Sequence, residues 1–265
     1  PPPPRPPPPL FFLMFRIPPR CTNVLSSVAG YGYIFDYFFC HGIYTFKIMR
    51  SIVTLKYGNK YSSNDVNTIY NMCKPYLAGG NFWCRTDDNS GLEQGILTQH
   101  INKCIGNWEK IVLLKSNFGG PTLYLDLDVI VQGDLGPLFE YCDEPTICET
   151  YWKDFGGMWN SSVMAWHCDN AAYITENFFK NWDYNLHKYQ GKDDNFLYDE
   201  KLFKRTFPKG LIYSFLAGVD METDTSPRAH QIKPDYPVVL LNGQNEVHYD
   251  LRKKYYDALS LHEMG

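Results

Sequence analysis

Residues 122–131, TLYLDLDVIV, are apolar except for two carboxylates, Asp126 and Asp128, and the rest of the fold must accommodate that pair. Leu123, Leu125, Val129, Ile130 and Val131 are what a strand covered on both faces of a parallel sheet requires. A soluble core does not accept two unpaired carboxylates there without compensation. Alternation along a strand puts positions i and i+2 on one side, so Asp126 and Asp128 are expected to converge on one cation at the strand's carboxyl end. A hard divalent ion, Mn2+ or Mg2+, itself holding phosphate oxygens, suits two such acids. The plainer alternative is a solvated loop, and the apolar residues that continue past Asp128 argue against it.

The first half of the chain reads as alternating strands and helices. Ser51–Leu55 is a short β-rich strand, and Ser62, Ser63, Asn64 and Asp65 supply N-cap candidates for a helix running to about Pro75. Asn81–Thr86 is a second strand, ending in the turn DDNSG at 87–91. Trp108–Lys115 is an amphipathic helix, stopped by Gly119-Gly120-Pro121. The acidic strand follows. Strand, helix, strand, helix, strand predicts right-handed βαβ units and a mostly parallel sheet, with ligands at the carboxyl ends of its strands. Tyr57, Asp87 and the Asp126/Asp128 pair all fall at that edge.

The second half is less periodic. Strands are expected at 144–149, within 207–215 and at 237–241, helices at 170–179 and after Lys192, and at 159–166 a loop feeding a strand. There is no internal repeat, no GxGxxG after the first strand and no GxxxxGK[ST], so no glycine-rich phosphate loop is expected.

Residues 1–20 are mostly proline and apolar residues, a composition for polyproline II or disorder rather than helix or strand. Residues 24–46 are long and apolar enough to raise a membrane anchor as an alternative, weakened by Asp36 and His41. Because MRSIVTLKYG reads at once as a first strand, the folded domain is expected at 49–265, with 1–48 as an extension preceding the native start. Residues 1–48 hold four basic residues and one acid, leaving 21 basic and 28 acidic residues elsewhere. A mildly acidic body argues against a nucleic-acid surface and suits a site that recruits metal. Eight cysteines occur without a CxxC pair, and Cys84, Cys104, Cys148 and Cys168 lie in or beside apolar stretches as free buried thiols do. A reducing, cytoplasmic setting is expected.

The run YLDLDVIVQGDLGPLF at 124–139 resembles, in register, the YLDxDxxVxxDLxxLF pattern of the GT-A nucleotide-sugar glycosyltransferases, most closely the glycogenin and lipopolysaccharide galactosyltransferase group (family 8-like). WEKIVLLK at 108–115 is similar to the helix preceding the DxD strand in related proteins, WNSSVM at 159–164 to the N-S-G/S-V-M segment, and KDDNFL at 192–197 to the D-Q-D-x-L block. The likeness covers roughly Met49 to Tyr249. Where the family closes its metal site with a His in H-x-G-x-x-K-P, this chain has Asn242 and no Lys-Pro, with His248 nearby.

The resemblance implies a single α/β domain of GT-A type and sugar transfer from a UDP- or GDP-sugar to a glycan, lipid or protein hydroxyl, retaining as in the glycogenin group. It implies Mn2+ or Mg2+ on Asp128 and Asp126, with Asp126 also a donor-binding residue toward the ribose, and the metal site completed by Asn242 or His248. Tyr57 would stack on the base, Asp87 accept from base or ribose, Lys110 pair with phosphate, and Asn160 and Ser161 meet donor hydroxyls. Asp193 and Asp194 would orient the sugar or stabilise its developing charge. Each also has a plainer reading: surface packing for Tyr57, a capped turn for Asp87, a solvated lysine for Lys110, a turn for Asn160 and Ser161, helix-dipole preference for Asp193 and Asp194. Two other functions are compatible with these motifs. One is a degenerate GT-A fold acting as a scaffold. The other is a haloacid-dehalogenase-like phosphatase, disfavoured because its DxD sits on a first strand and a Thr is expected where Ile130 stands.

Overall fold

The strand Ser51–Lys56 (β1) is buried along its whole length because its side chains feed two different cores. Ile52 joins one cluster and Val53 and Leu55 the other. Pro121–Leu125 (β4) divides in the same way, Leu123 and Leu125 against Tyr124, and so does Trp159–His167 (β7), Val163 and Ala165 against Met164 and Trp166. These strands are central and covered on both faces, as their nearly unbroken apolar sequences require. The structure is a computed structural model that describes residues 49–150, 158–215, 232–242 and 248–264. The proline-rich stretch and the 24–46 segment lie outside the described residues.

With Asn81–Thr86 (β2), Ile96–His100 (β3), Thr146–Glu149 (β6) and Arg205–Thr206 (β8), these strands form a seven-stranded sheet in the order β3-β2-β1-β4-β7-β6-β8. The first four are mutually parallel, β7 runs antiparallel to both neighbours, and β8 is parallel to β6. Ser63–Cys73 (α1) and Gly136–Phe139 (α3) cover one face through Val66, Ile69, Cys73 and Leu138. Glu109–Leu113 (α2), Ala172–Lys180 (α4), Trp182–Tyr189 (α5) and Asp193–Asp199 (α6) cover the other, led by Ile111, Ile174, Phe178 and Phe196. The result is the expected mostly parallel sheet between helices, with β7 the antiparallel strand. The segment at 159–166 expected to begin as a loop is strand throughout.

The largest correction falls on the acidic stretch itself. Residues 122–131 are not one strand: β4 ends at Leu125, and Val129–Val131 (β5) belongs to a second sheet, ordered β5-β10-β9 with Val238–Leu240 (β10) and Ile212–Ser214 (β9). Between them Asp126-Leu127-Asp128 makes a turn in which the Val129 N–H donates to the Asp126 carbonyl at 3.3 Å. The turn takes both carboxylates out of a buried ladder, where their desolvation would be uncompensated, while Leu127 between them stays buried. The second sheet packs under the C-terminal helix His248–Glu263 (α7), through Ile130, Val239, Leu251 and Tyr255.

Among the described residues no helix is long and apolar enough to cross a membrane. Cys73, Cys84, Cys142 and Cys148 are buried free thiols. Cys104, expected to be buried, is exposed because it lies in the loop between β3 and the 3-10 turn Gly106–Trp108, and Cys168 is only partly buried.

Candidate active site

The carboxyl ends of β1, β2 and β4 open on one edge of the large sheet, and the chain gathers a charged network at the end of β4. The amphipathic helix α2 buries Ile111 and Leu113 and turns Lys110 toward the sheet edge, so its ammonium reaches Asp126 Oδ2 at 2.8 Å. The same ammonium donates to Ser161 Oγ at 3.1 Å and lies 3.7 Å from Asp193 Oδ2. Ser161 Oγ donates to Asp193 Oδ2 at 2.6 Å, and the Ser161 backbone N–H donates to Asp194 Oδ1 at 2.7 Å. One lysine from α2, one acid after β4, one serine from β7 and two acids opening α6 are thus joined by direct bonds.

Asp193 and Asp194 face this network because of the turn before them. Gln190 and Gly191 both take positive φ, 47° and 81°, a left-handed pair that reverses the chain between α5 and α6 and suits glycine at the second position. The Asn107 side chain holds that turn: its Nδ2 donates to the Gly191 carbonyl at 3.0 Å, and its Oδ1 accepts from the Tyr57 hydroxyl. The nucleotide-side residue expected from sequence, Tyr57, is therefore linked to the loop that carries Asp193.

The electrostatics follow from burial. Burial alone would pull the Lys110 pKa down, but Asp126, Asp193 and Asp194 outweigh it and hold the ammonium above its ordinary value. Asp193 is pushed up to about 6, chiefly by burial, with Lys110 opposing. Asp128 is raised by burial and then by the charge of Asp126, even with Lys110 and Lys60 acting against both. The Tyr61 hydroxyl is likewise raised by burial and by Asp128 and Asp126, which places its ring beside the acidic turn.

Tyr57, Lys110, Asp126, Asp128, Ser161, Asp193 and Asp194 are therefore all at this edge. Asp87 is exposed and fastens the loop after β1, accepting from the Gly58 N–H at 2.9 Å. Asn160 folds its side-chain carbonyl onto its own strand, accepting from Ser162 N at 3.0 Å, and among the described residues nothing bonds it to the lysine network. Leu241 N donates to the Asp128 carbonyl at 3.3 Å, so Asn242 follows directly after the acidic turn's partner. Its amide nitrogen, however, donates to Ser214 Oγ at 2.9 Å. His248 opens α7, and its side chain lies outside the described residues. Among the described residues no group of three or more His, Cys, Asp or Glu is arranged to hold a metal ion.

Sequence reading missed Tyr124. It is fully buried, and its hydroxyl donates to Asp126 Oδ1 at 2.5 Å, so both oxygens of that carboxylate are engaged. The signal was there, since Tyr124 and Asp126 share strand parity and a buried tyrosine hydroxyl requires a partner. Asn107 and Tyr61 carried no comparable signal.

No protein-family model matches the chain, and no curated protein matches its sequence. Among solved structures, the galactosyltransferase LgtC, in complex with donor and acceptor sugar analogs, is similar at 14% identity over 79% of this chain and 95% of that one, with a TM-score of 0.52. The glycosyltransferase GlyE of Streptococcus pneumoniae TIGR4 is similar at 16% identity over 80% and 63%, with a TM-score of 0.55. The bifunctional WbbM is similar at 10% identity over 87% and 52%, with a TM-score of 0.52. The chain spans less than two thirds of GlyE and about half of WbbM. At these identities the likeness establishes the fold, a GT-A-type α/β sheet.

Proposed function

We propose that this protein is a metal-dependent glycosyltransferase, moving a hexose from a UDP- or GDP-sugar to a hydroxyl of a glycan, lipid or protein with retention at the anomeric carbon. The observation that carries the reading is the bonded set Asp126–Lys110–Ser161–Asp193/Asp194 at the carboxyl edge of a GT-A-type sheet. A phosphatase of the haloacid-dehalogenase kind would place its DxD after the first strand, whereas here it follows β4.

The acidic turn fits a divalent cation. Asp128 is partly buried, and desolvation and then the charge of Asp126 disfavour its ionised form against the pull of Lys110 and Lys60, a cost that a dication would relieve. Mg2+-like ions are commonly held by one or two carboxylates with substrate phosphates filling the other positions. Asp126 and Asp128 would hold the ion, with Asn242 or His248 as the added protein ligand. When bound, such an ion supplies Lewis-acid neutralisation of the charge that builds on the leaving diphosphate.

The chain's own residues do the rest. Tyr57 offers a ring to the base at the end of β1, and Asp87 steadies the loop on which it sits. Lys110 keeps Asp126 and Asp193 at fixed separation and adds a positive charge beside the diphosphate. Ser161, already bonded to Lys110 and Asp193, aligns the two rather than contacting the sugar. Asn160, one residue away, would meet donor hydroxyls with its amide nitrogen, its carbonyl being taken by Ser162 N. Asp193, ionised above about pH 6, and Asp194 present negative charge to the sugar carbon as positive charge develops there. Exclusion of water from this edge would strengthen every one of these terms.

A scaffold of the same fold is the competing reading, favoured by one observation, the engagement of Asn242 with Ser214. A thermal-shift panel of UDP-glucose, UDP-galactose, UDP-N-acetylglucosamine and GDP-mannose, each with and without Mn2+, tests the proposal. A shift for one donor that needs Mn2+, followed by release of free UDP or GDP, supports transfer. A shift without release supports the scaffold, and the absence of any shift overturns both.

A further inference from the structure

The acidic turn is held from behind by the last helix of the chain. Arg252 of α7 is 8% exposed, and its Nη2 donates to the carbonyl of Leu127, the residue between the two acids, at 2.7 Å. Leu127 is itself buried, so its carbonyl needs a donor, and among the described residues no backbone N–H outside regular helices and strands supplies one. The same guanidinium lies 3.4 Å, through Nη1, from Asp65 Oδ1, which is wholly buried. Asp65 in turn accepts from the Ser62 N–H and hydroxyl, both at 2.8 Å, closing the capping box that starts α1. Just ahead of that box are Lys60, whose charge acts on Asp128, and Tyr61, whose hydroxyl is raised by burial and by Asp128. Leu251 and Tyr255, flanking Arg252 on α7, are buried against Ile130 and Val239 of the second sheet, so the helix cannot slide without unpacking that core.

We propose that Arg252 is a positioning residue for the acidic turn. By drawing the Leu127 carbonyl inward it fixes the turn between Asp126 and Asp128 and so the directions in which the two carboxylates leave it, while its contact with Asp65 ties the helix to the start of α1. The inference rests on the proposed function in one respect, that the two acids share a divalent cation. A rigid fork that bonds a carbonyl and a carboxylate at once is a task for arginine and not for lysine. A residue that orients ligands without touching the ion typically changes metal affinity by about 10–100-fold when removed.

The test uses the full chain with three substitutions, Arg252→Met, Arg252→Lys and Asp65→Asn. Mn2+ alone is the ligand, its free concentration read by electron paramagnetic resonance, alongside amide hydrogen exchange of the 125–131 segment in the metal-free protein. Arg252→Met is expected to weaken Mn2+ binding by about tenfold or more and to speed exchange in that segment. Asp65→Asn keeps the bond to Leu127, so it is expected to lower Tm while leaving Mn2+ affinity within about twofold. If Arg252→Met does not fold, Arg252→Lys decides, with weaker Mn2+ binding and faster turn exchange supporting the role and unchanged values of both overturning it. Unchanged affinity and exchange in Arg252→Met, or an Asp65→Asn variant as impaired as Arg252→Met, would likewise overturn it. Should the wild-type chain bind no Mn2+, the cation reading fails, and the exchange comparison alone decides for or against Arg252.

Discussion

The Lys110 ammonium lies 2.8 Å from Asp126 Oδ2, with both side chains largely out of solvent. A single cation from α2 thereby fixes the first acid of the turn, and its further contacts carry that order to Ser161 and Asp193. On the proposed function a substrate would meet a network already assembled, which would leave little reorganisation for the reaction itself.

Replacing Lys110 by Met leaves Asp126 and Asp193 without their shared cation. Breaking a buried pair in this way costs about 3–5 kcal/mol, to be read from urea unfolding at pH 7. At pH 5 the loss is expected to be smaller, because Asp193 is then largely protonated and has less charge to strand. Lys110→Arg does not restore the wild-type stability, since a planar fork cannot occupy the place of a compact ammonium.

Asp193 makes the folded state sensitive to pH. Burial raises its pKa in the folded protein to about 6, above the value near 3.9 of an unfolded aspartate. Its contribution is therefore fully present below about pH 3.9 and is lost as pH rises through about 6. Metal-free Asp193→Asn is expected to lack this decline, so the wild-type-minus-variant stability should fall by about 2–3 kcal/mol between pH 4 and pH 7. Urea midpoints across that range give the answer, and parallel curves for the two proteins would refute it.

Tyr124→Phe removes one hydroxyl from a fully buried ring and leaves Asp126 Oδ1 without its donor. The fold is expected to survive with a loss of about 1–3 kcal/mol. A carboxylate held through Oδ2 alone should also bind UDP with Mn2+ about tenfold more weakly. Calorimetric titration checks the second figure and thermal melting the first.

How much of this was legible in sequence depended on where the physics was local. β1, β2, β6 and β10 announce themselves as short apolar runs between turn residues, and α1 through its cap. The β3 edge strand did not, because ILTQH is half exposed and carries no alternation. Nor did α5 and α7, whose polar residues outnumber the few that reach a core. The break at Asp126–Asp128 was hidden because the apolar pattern runs through it unchanged, and only the pairing of β5 with β10 shows that the chain changes sheets. Asp126 and Asp128 stand out in sequence by type and spacing, and Asp193 and Asp194 only through the resemblance; what the structure adds is that Asp126 and Asp193 share the Lys110 ammonium. Arg252 was not, since its partner is a backbone carbonyl 125 positions away that has no signature in sequence.

On the proposed function Asp128, beside Asp126, binds a divalent ion that grips a nucleotide diphosphate. Asp128→Asn measures it most directly, since the substitution removes a partly buried negative charge disfavoured by desolvation and by Asp126, and should leave the metal-free melting temperature at or above that of wild type. With Mn2+ and the donor that stabilises the wild-type chain, release of UDP or GDP is predicted to fall by about a hundredfold or more. Undiminished release from a correctly folded Asp128→Asn protein would contradict the account.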